Sequence, residues 1–406
     1  MRQPGHQSDP SSARTTRCQF LARSLSLAAL AAVPAHAAQA LAAAGRQFRA
    51  AIIGHTGHGN YGHEHDLIFT GRGNIIVVAV ADPDAAGRAQ AVARSHALRS
   101  YADYHQMLEK EKPDLVCIAP RCTDEHHAMA LAALRVGAHV YLEKPITQTL
   151  AEADELLALA DRARLKIVVA HQMRLAPNIL ALKTAIEQGL LGELLEIRSH
   201  GKQDHRAGGE DLVVLGVHLF DLMRFFAGDP LWCAARILQA GHEITLQDAH
   251  PATEDIGPVA RDEILAEFAF ARGIHATFVS RAQDREPAGP WGMELIGSKA
   301  SVKILTEMVP RIYRLKDGQG KTMKWQLWEQ DPTSNWAESE RGFAGANERV
   351  VNDWLAAITQ DREPVCSGYA AMSALEMAMA VFAAGLARGR VAFPVKDRQH
   401  PLSTNR

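Results

Sequence analysis

The sequence predicts an α/β domain built on a parallel sheet, followed by an α+β domain whose open sheet is predominantly antiparallel. Three observations carry this reading. Between residues 47 and 171, short apolar runs alternate with helix-like stretches, the pattern of strands that cross over through helices. The first apolar run, Ala51, Ile52 and Ile53, leads into a turn crowded by Gly54, Gly57, Gly59 and Gly62. After residue 171 strand-like runs succeed one another through short polar turns, which favours antiparallel pairing packed on helices.

The elements come in order. A second apolar run at 75–81 ends on Asp82, and residues 84–96 have the composition of a helix. Residues 103–110 suggest another helix, stopped by Pro113 before the strand 115–118. A helix at 125–135 closes at Gly137, and the strand 139–142 runs into Glu143-Lys144-Pro145. A helix at 150–164 and a strand at 166–170 complete the first domain. The second domain, 172–396, opens with a helix at 178–188 and a strand at 194–200. A helix over 212–226 follows, then strands at 264–270, 275–280, 292–296, 301–304 and 311–315. The polar segment 318–345, with Trp325, Trp328 and Trp336, reads as a long excursion over the surface or into a subunit contact. Helices at 347–358 and 370–386 precede a tail at 397–406.

A chain of 406 residues has room for two such domains. Apolar residues make up 47% and charged ones 22%, with a net charge of −2, so no basic surplus points to nucleic acid. Residues 1–37 read differently. Arg14, Arg17 and Arg23 precede and flank a small-residue apolar run ending in Ala35-His36-Ala37, the pattern of a signal peptide with its cleavage site. That run is too short to span a membrane, and 38–46 is a linker. The segment Thr16-Arg17-Cys18-Gln19-Phe20-Leu21 resembles a twin-arginine export signal, with Cys18 where the second arginine belongs. The expected location is therefore exported and periplasmic, by a route Cys18 leaves open. Cys117, Cys122, Cys233 and Cys366 form neither a metal signature nor a disulfide scaffold.

A strand, a glycine-dense turn and a helix, followed by a second strand ending in an acid, is the dinucleotide-binding (Rossmann) arrangement. Glycines admit positive φ and let phosphate approach a helix N-terminus. The Asp82 carboxylate would accept hydrogen bonds from the adenosine ribose hydroxyls, which favours NAD over NADP. Asp82 lies further along the chain than the simplest fingerprint places it. His55, His58, His63 and His65 have no cysteine beside them and fit no standard zinc spacing, so no metal is expected. His55 or His58 is placed near the cofactor instead.

Beyond these patterns, an ordered set of residues resembles the Gfo/Idh/MocA family, which includes glucose–fructose oxidoreductase and inositol dehydrogenase. The set comprises the glycine turn, His126, Glu143-Lys144-Pro145, Arg174 with Pro177, and the segment Gly216-Val217-His218-Leu219-Phe220-Asp221-Leu222-Met223-Arg224. Gly297, Asn352-Asp353-Trp354-Leu355 and Phe393-Pro394 continue it. The resemblance implies that Lys144 sits between nicotinamide and substrate, that Pro145 often follows a cis peptide, and that His218 is the acid–base histidine. Many dehydrogenase members carry an aspartate where this chain has Val214, and Asp211 and Glu210 are candidates to replace it. The implied cofactor set is Gly54, Gly57, Gly59, Asn60, Tyr61, Gly62, Asp82, His126, Glu143, Lys144 and Pro145, holding an NAD that exported members would keep bound. Family members commonly pair through the open sheet, which implies a homo-oligomer.

The residues themselves suit alcohol oxidation. Histidine titrates near neutrality and can take a hydroxyl proton, and a lysine beside it can stabilise the negative oxygen. The expected function is NAD-dependent oxidation or reduction at a secondary alcohol or ketone of a sugar, cyclitol or related polyol. Two alternatives stand beside it: a redox-neutral, NAD-assisted glycoside hydrolase, and a cofactor-stabilised binding protein without turnover. Arg174, His205, Arg206, Asp211 and Trp291 are the candidate substrate contacts. Asp221 and Arg224, three apart on one helix, read as a structural ion pair.

Overall fold

The computed structural model describes residues 47–260, 262–282, 291–317 and 322–403. The expected signal peptide (1–37, with Cys18), the linker 38–46 and the last three residues of the tail lie outside them.

The first domain is a parallel sheet of β1 (Phe48–Ile53), β2 (Ile75–Ala81), β3 (Arg99–Tyr101), β4 (Leu115–Ile118), β5 (His139–Leu142) and β6 (Ile167–Val169), in the order β3-β2-β1-β4-β5-β6. β4 is buried at every residue and β1 and β2 at nearly all, as strands covered by helices on both faces must be. Helices α1 (Ala85–Ser95), α2 (Tyr104–Glu111), α3 (His126–Arg135) and α4 (Leu150–Ala163) make the crossovers. Asp84, Asp103 and Thr149 cap α1, α2 and α4, and Thr149 with Glu152 forms a capping box. Strand order reverses between β1 and β4, which opens the ligand crevice beyond their C-terminal ends.

The loop after β1 departs from expectation. No α-helix succeeds the glycine turn, only one 3-10 turn, His65–Leu67. Asn60 and Glu64 sit at φ 53° and 61°, a left-handed backbone that cannot continue a helix. Two of the glycines are forced by close approach. A Cβ on Gly59 would stand 2.4 Å from the Arg121 amide nitrogen, and one on Gly62 would stand 2.4 Å from the Ala119 carbonyl oxygen. The turn is thus clamped on the chain leaving β4.

The second domain opens with α5 (Pro177–Glu187) and β7 (Leu194–His200). The single helix expected over 212–226 is two, α6 (Gly209–Val214) and α7 (Gly216–Ala227), broken at Leu215. Its large sheet also holds β8 (Pro230–Gln239), β9 (Glu263–Phe270), β10 (His275–Arg281), β11 (Gly292–Gly297), β12 (Ser301–Leu305), β13 (Arg311–Asp317), β14 (Met323–Leu327) and β15 (Val391–Ala392), with a two-residue strand His242–Glu243 paired to the end of β8. They run β14-β13-β12-β11-β7-β10-β9-β8-β15, antiparallel except for the parallel pair β7–β10. β8 and β14 were not foreseen; β14 occupies the start of the expected polar excursion, where Trp328 turns inward and is buried.

Two C-terminal helices tie the domains together. Trp354 of α8 (Phe343–Gln360) is fully buried against Tyr141 and Phe69 of the first domain. α9 (Gly368–Ala387) is long and apolar enough to cross a membrane, yet 72% of its apolar window is buried inside the protein. Gly385 lets it press on Ile237 of β8, and Gly368 lets it approach Leu157 and Ile167 of the first domain. The opposite face of the sheet is open. One row across it carries Glu267, Thr277, Arg198, Glu294, Lys303 and Tyr313 in register.

Candidate active site

The site is built from the end of β5. Glu143 continues the sheet, its amide donating to the Ile118 carbonyl at 3.0 Å, and its side chain is fully buried. Burial alone would raise the Glu143 carboxyl, but His63, His65 and Lys144 outweigh it and hold the group well below the usual carboxylate range. His63 Nδ1 stands 2.6 Å from one carboxylate oxygen and His65 Nδ1 3.7 Å from the other. Those histidines come just after the glycine turn, so the His63–Glu143 contact joins the turn to the end of β5. His65, wholly buried edge-on to Tyr141, is lowered to about 4 chiefly by burial.

The Lys144–Pro145 peptide is cis. His126 holds the backbone beyond it: its Nδ1 lies 2.8 Å from the Pro145 carbonyl oxygen and its Nε2 2.8 Å from that of Pro120. It has no exposure, so His126 is a brace between the β4 and β5 loops and not a surface open to cofactor. Lys144 Nζ donates to the Val214 carbonyl oxygen at 3.3 Å. The position that lacks the expected aspartate therefore holds the lysine with its backbone. Burial lowers the Lys144 pKa, with Glu143 and Glu254 opposing.

His218 enters from the first turn of α7 in the second domain. Burial drives it well below the ordinary histidine value, and the neighbouring His171 and Lys144 add to the effect. It is a neutral imidazole at pH 7, and its Nδ1 has no hydrogen-bond partner among the described residues. The His171 ring lies 5.2 Å away and Trp291 6.4 Å away. Lys144, His218 and Trp291 line one cavity of about 320 Å³, together with His63, Arg121, Gln172, Lys202, Arg206 and Glu254. Arg206 is oriented by Asp204 at 2.7 Å and Glu254 at 3.1 Å.

Several expectations need correction. Asp82 does not present a free carboxylate: it is fully buried, accepting the Thr56 amide and hydroxyl and the Asp84 amide at 2.7–3.2 Å. It shapes the turn, and Asp84 instead lines the neighbouring 370 Å³ cavity beside Asn60, Tyr61 and Gly62. The Tyr61 ring covers Gly54, where a Cβ would stand 2.2 Å from it. Arg174 is spent on Asp221, with contacts at 2.6 and 2.9 Å, and Arg224 pairs with Asp229, so Asp221 and Arg224 are not partners. Asp211 is buried and accepts the Lys202 and Gln203 amides and the Ser280 hydroxyl. The break at Leu215 takes it out of line with His218. Glu210 bonds Thr253. His205 points to solvent, its side chain 75% exposed. Glu254, Lys202, Gln172 and Arg121 were not foreseen, because no local pattern marks residues that only tertiary folding brings together. His63 stood within the histidine group and could have been read.

The residues fit a dinucleotide. Gly57, at φ 86°, has nothing within 4 Å of where a Cβ would stand, which leaves room for a phosphate beside its Cα, while its amide donates to Asn60 Oδ1 at 3.0 Å. The model for the oxidoreductase family's NAD-binding Rossmann fold matches residues 48–171, and that for its C-terminal alpha/beta domain matches 183–392. The chain belongs to the Gfo/Idh/MocA oxidoreductase family. As a member it is an NAD(P)-dependent oxidoreductase whose first domain binds NAD(H). It is similar to D-apiose dehydrogenase of Paraburkholderia graminis, 25% identical over 83% of this chain and 87% of that one. Levoglucosan dehydrogenase of Pseudarthrobacter phenanthrenivorans is 26% identical over 48% of this chain and 56% of its own length. The fold is shared with an oxidoreductase domain protein of Kribbella flavida at a TM-score of 0.69 and 21% identity, covering 86% of this chain and 100% of that one.

Histidines held neutral by burial make stability depend on pH. Below about 6.5 the unfolded chain takes up protons that the native His65 refuses until about 4, so stability present above 6.5 is lost as pH falls. For His65 this amounts to about 2 kcal/mol between pH 7 and pH 5. Urea unfolding at those two pH values should show the loss, and His65→Gln should shrink it; an unchanged difference in the variant contradicts a neutral buried His65.

Proposed function

We propose that this oxidoreductase interconverts a secondary alcohol and a ketone on a sugar, cyclitol or related polyol, with His218 and Lys144 as its acid–base groups. The observation that carries the reading is that these two side chains, one from each domain, line a single cavity beyond the parallel strands. Relatives named for D-apiose and levoglucosan support the substrate class.

His218, held neutral by burial and lining the cavity, accepts the proton of the reacting hydroxyl. Lys144 hydrogen-bonds the same oxygen and stabilises its developing negative charge. The Val214 carbonyl sets where that ammonium sits, and the charges of Glu143 and Glu254 oppose the lowering of its pKa by burial. Arg206 and Glu254 offer directional partners for further hydroxyls, and Trp291 an apolar face. Bound NAD supplies the hydride acceptor or donor. The turn at Gly57 and Gly59 and the wall formed by Asn60, Gly62 and Asp84 hold the dinucleotide.

The open sheet face is also proposed to pair with a second copy of the chain. Leu265 and Leu327 stand 49% and 60% exposed on it, beside the alternating Glu267, Arg198, Glu294 and Lys303. Light scattering after size exclusion should give a multiple of the chain mass, and Leu265→Asp should reduce it. A monomeric wild type contradicts the pairing.

The activity test uses the full chain with NAD+ and a panel of free sugars, polyols and aryl glycosides, followed at the reduced-nicotinamide absorbance. A sugar or polyol should give durable reduction, with kcat/KM falling about 10²–10⁴-fold in His218→Asn and Lys144→Met. Aglycone release without net reduction would move the assignment to glycoside hydrolysis, and absence of NAD binding would sink both.

A further inference from the structure

Folding gives one of the four histidines of the nucleotide-binding loop a thiol neighbour that sequence spacing could not show. The ligand atoms of His58, Cys122 and Asp255 all lie within 4.8 Å of one another. They come from three separate segments: the glycine turn after β1, the chain leaving β4, and a second-domain loop. We propose that these three side chains form a binding site for a transition-metal ion of the zinc class, which ties the nucleotide-binding loop to the second domain.

The donor set suits such an ion. A thiolate, an imidazole and a carboxylate are the three side-chain types zinc takes, and three protein ligands leave the fourth tetrahedral position for water. The histidine is oriented as a metal ligand requires. Its Nε2 lies 2.9 Å from the Asp124 carboxylate and its Nδ1 3.8 Å from Asp255 Oδ2, so a metal bound at Nδ1 would leave the ring proton on Nε2, facing Asp124. This is the carboxylate–histidine–metal arrangement, with Asp124 as the orienting acid. Ion entry is open, since the His58 side chain is 29% exposed and that of Asp255 45%. The loop that brings Asp255 is anchored on the first domain, because Gln148 Nε2 donates to the Asp255 carbonyl oxygen at 2.6 Å.

The placement gives the site a consequence. Cys122 directly follows Arg121, and Asp255 directly follows Glu254, and both preceding residues line the substrate cavity. An ion bound by the two ligands fixes the spacing of two cavity walls that belong to different domains. Metal binding also displaces the Cys122 thiol proton to solvent, so uptake strengthens as pH rises.

Cobalt(II) alone, titrated into the untagged, metal-free full chain without nucleotide, is the direct probe. One cobalt per chain with a thiolate-to-cobalt charge-transfer band is expected, and excess zinc should displace it. Cys122→Ser should abolish the band, Asp255→Asn should weaken binding, and Asp124→Asn should weaken it about 10–100-fold through the histidine. Circular dichroism of each variant confirms that it is folded. Absence of the band in the wild type, or an equal band in Cys122→Ser, overturns the site and leaves His58 as an imidazolium paired with two carboxylates.

Discussion

A carboxylate with no access to water cannot stand unpaired, and Glu143 is such a group at the heart of the molecule. Leaving a buried charge without a partner costs several kcal/mol. The partners Glu143 takes settle much of the surrounding geometry. His63 and His65 come to it from the loop after β1, which pulls the nucleotide-binding turn over the end of β5. Lys144 is next in the chain, with its ammonium donating to the Val214 carbonyl and its pKa lowered by burial against the opposing charges of Glu143 and Glu254. His126 braces the Pro145 carbonyl on the other side. The first domain thus delivers one charged side chain, at a fixed position, to the boundary with the second.

The second domain answers with α7 and the loop 253–257. The break at Leu215 matters here, because it uncouples α6 from α7. Asp211 and Glu210 can then serve the packing of the domain while His218 faces the cavity. Burial beside Lys144 and His171 keeps His218 neutral, so the cavity holds a neutral imidazole beside the Lys144 ammonium. Arg174 and Asp221 form a buried pair close to His171, with no free charge left for substrate. Helix α9, packed on β8 and against Leu157 and Ile167, holds the domains together around the cavity.

The parallel sheet was legible because its strands are continuous apolar runs flanked by capped helices, and nothing else in the chain has that pattern. Arg99–Tyr101 was not, since three residues on a sheet edge carry no periodicity. β8, Pro230–Gln239, mixes Trp232 and Arg236 into a weak alternation that β9 pairing turns into a central strand. Lys144 and His218 could be named from the resemblance they carry. Asp82 was legible as an acid at a strand end, but not as one consumed by Thr56 and Asp84, since a buried hydrogen-bond set has no local sequence pattern. The same holds for Glu254, which the 253–257 loop carries back to the first domain, and for Cys122 beside His58, which meet because the glycine turn packs on the chain leaving β4.

The central claim is that the crevice beyond β1 and β4 carries the cofactor's reactive ring to the boundary where Lys144 and His218 meet. A crystal structure of the full chain grown with NAD+ tests it most directly. The account predicts pyrophosphate against the turn at Gly57 and Gly59, and the nicotinamide beside Lys144 with one face open to the cavity that His218 and Trp291 line. A dinucleotide seated away from that turn, or a nicotinamide separated from Lys144, would contradict it.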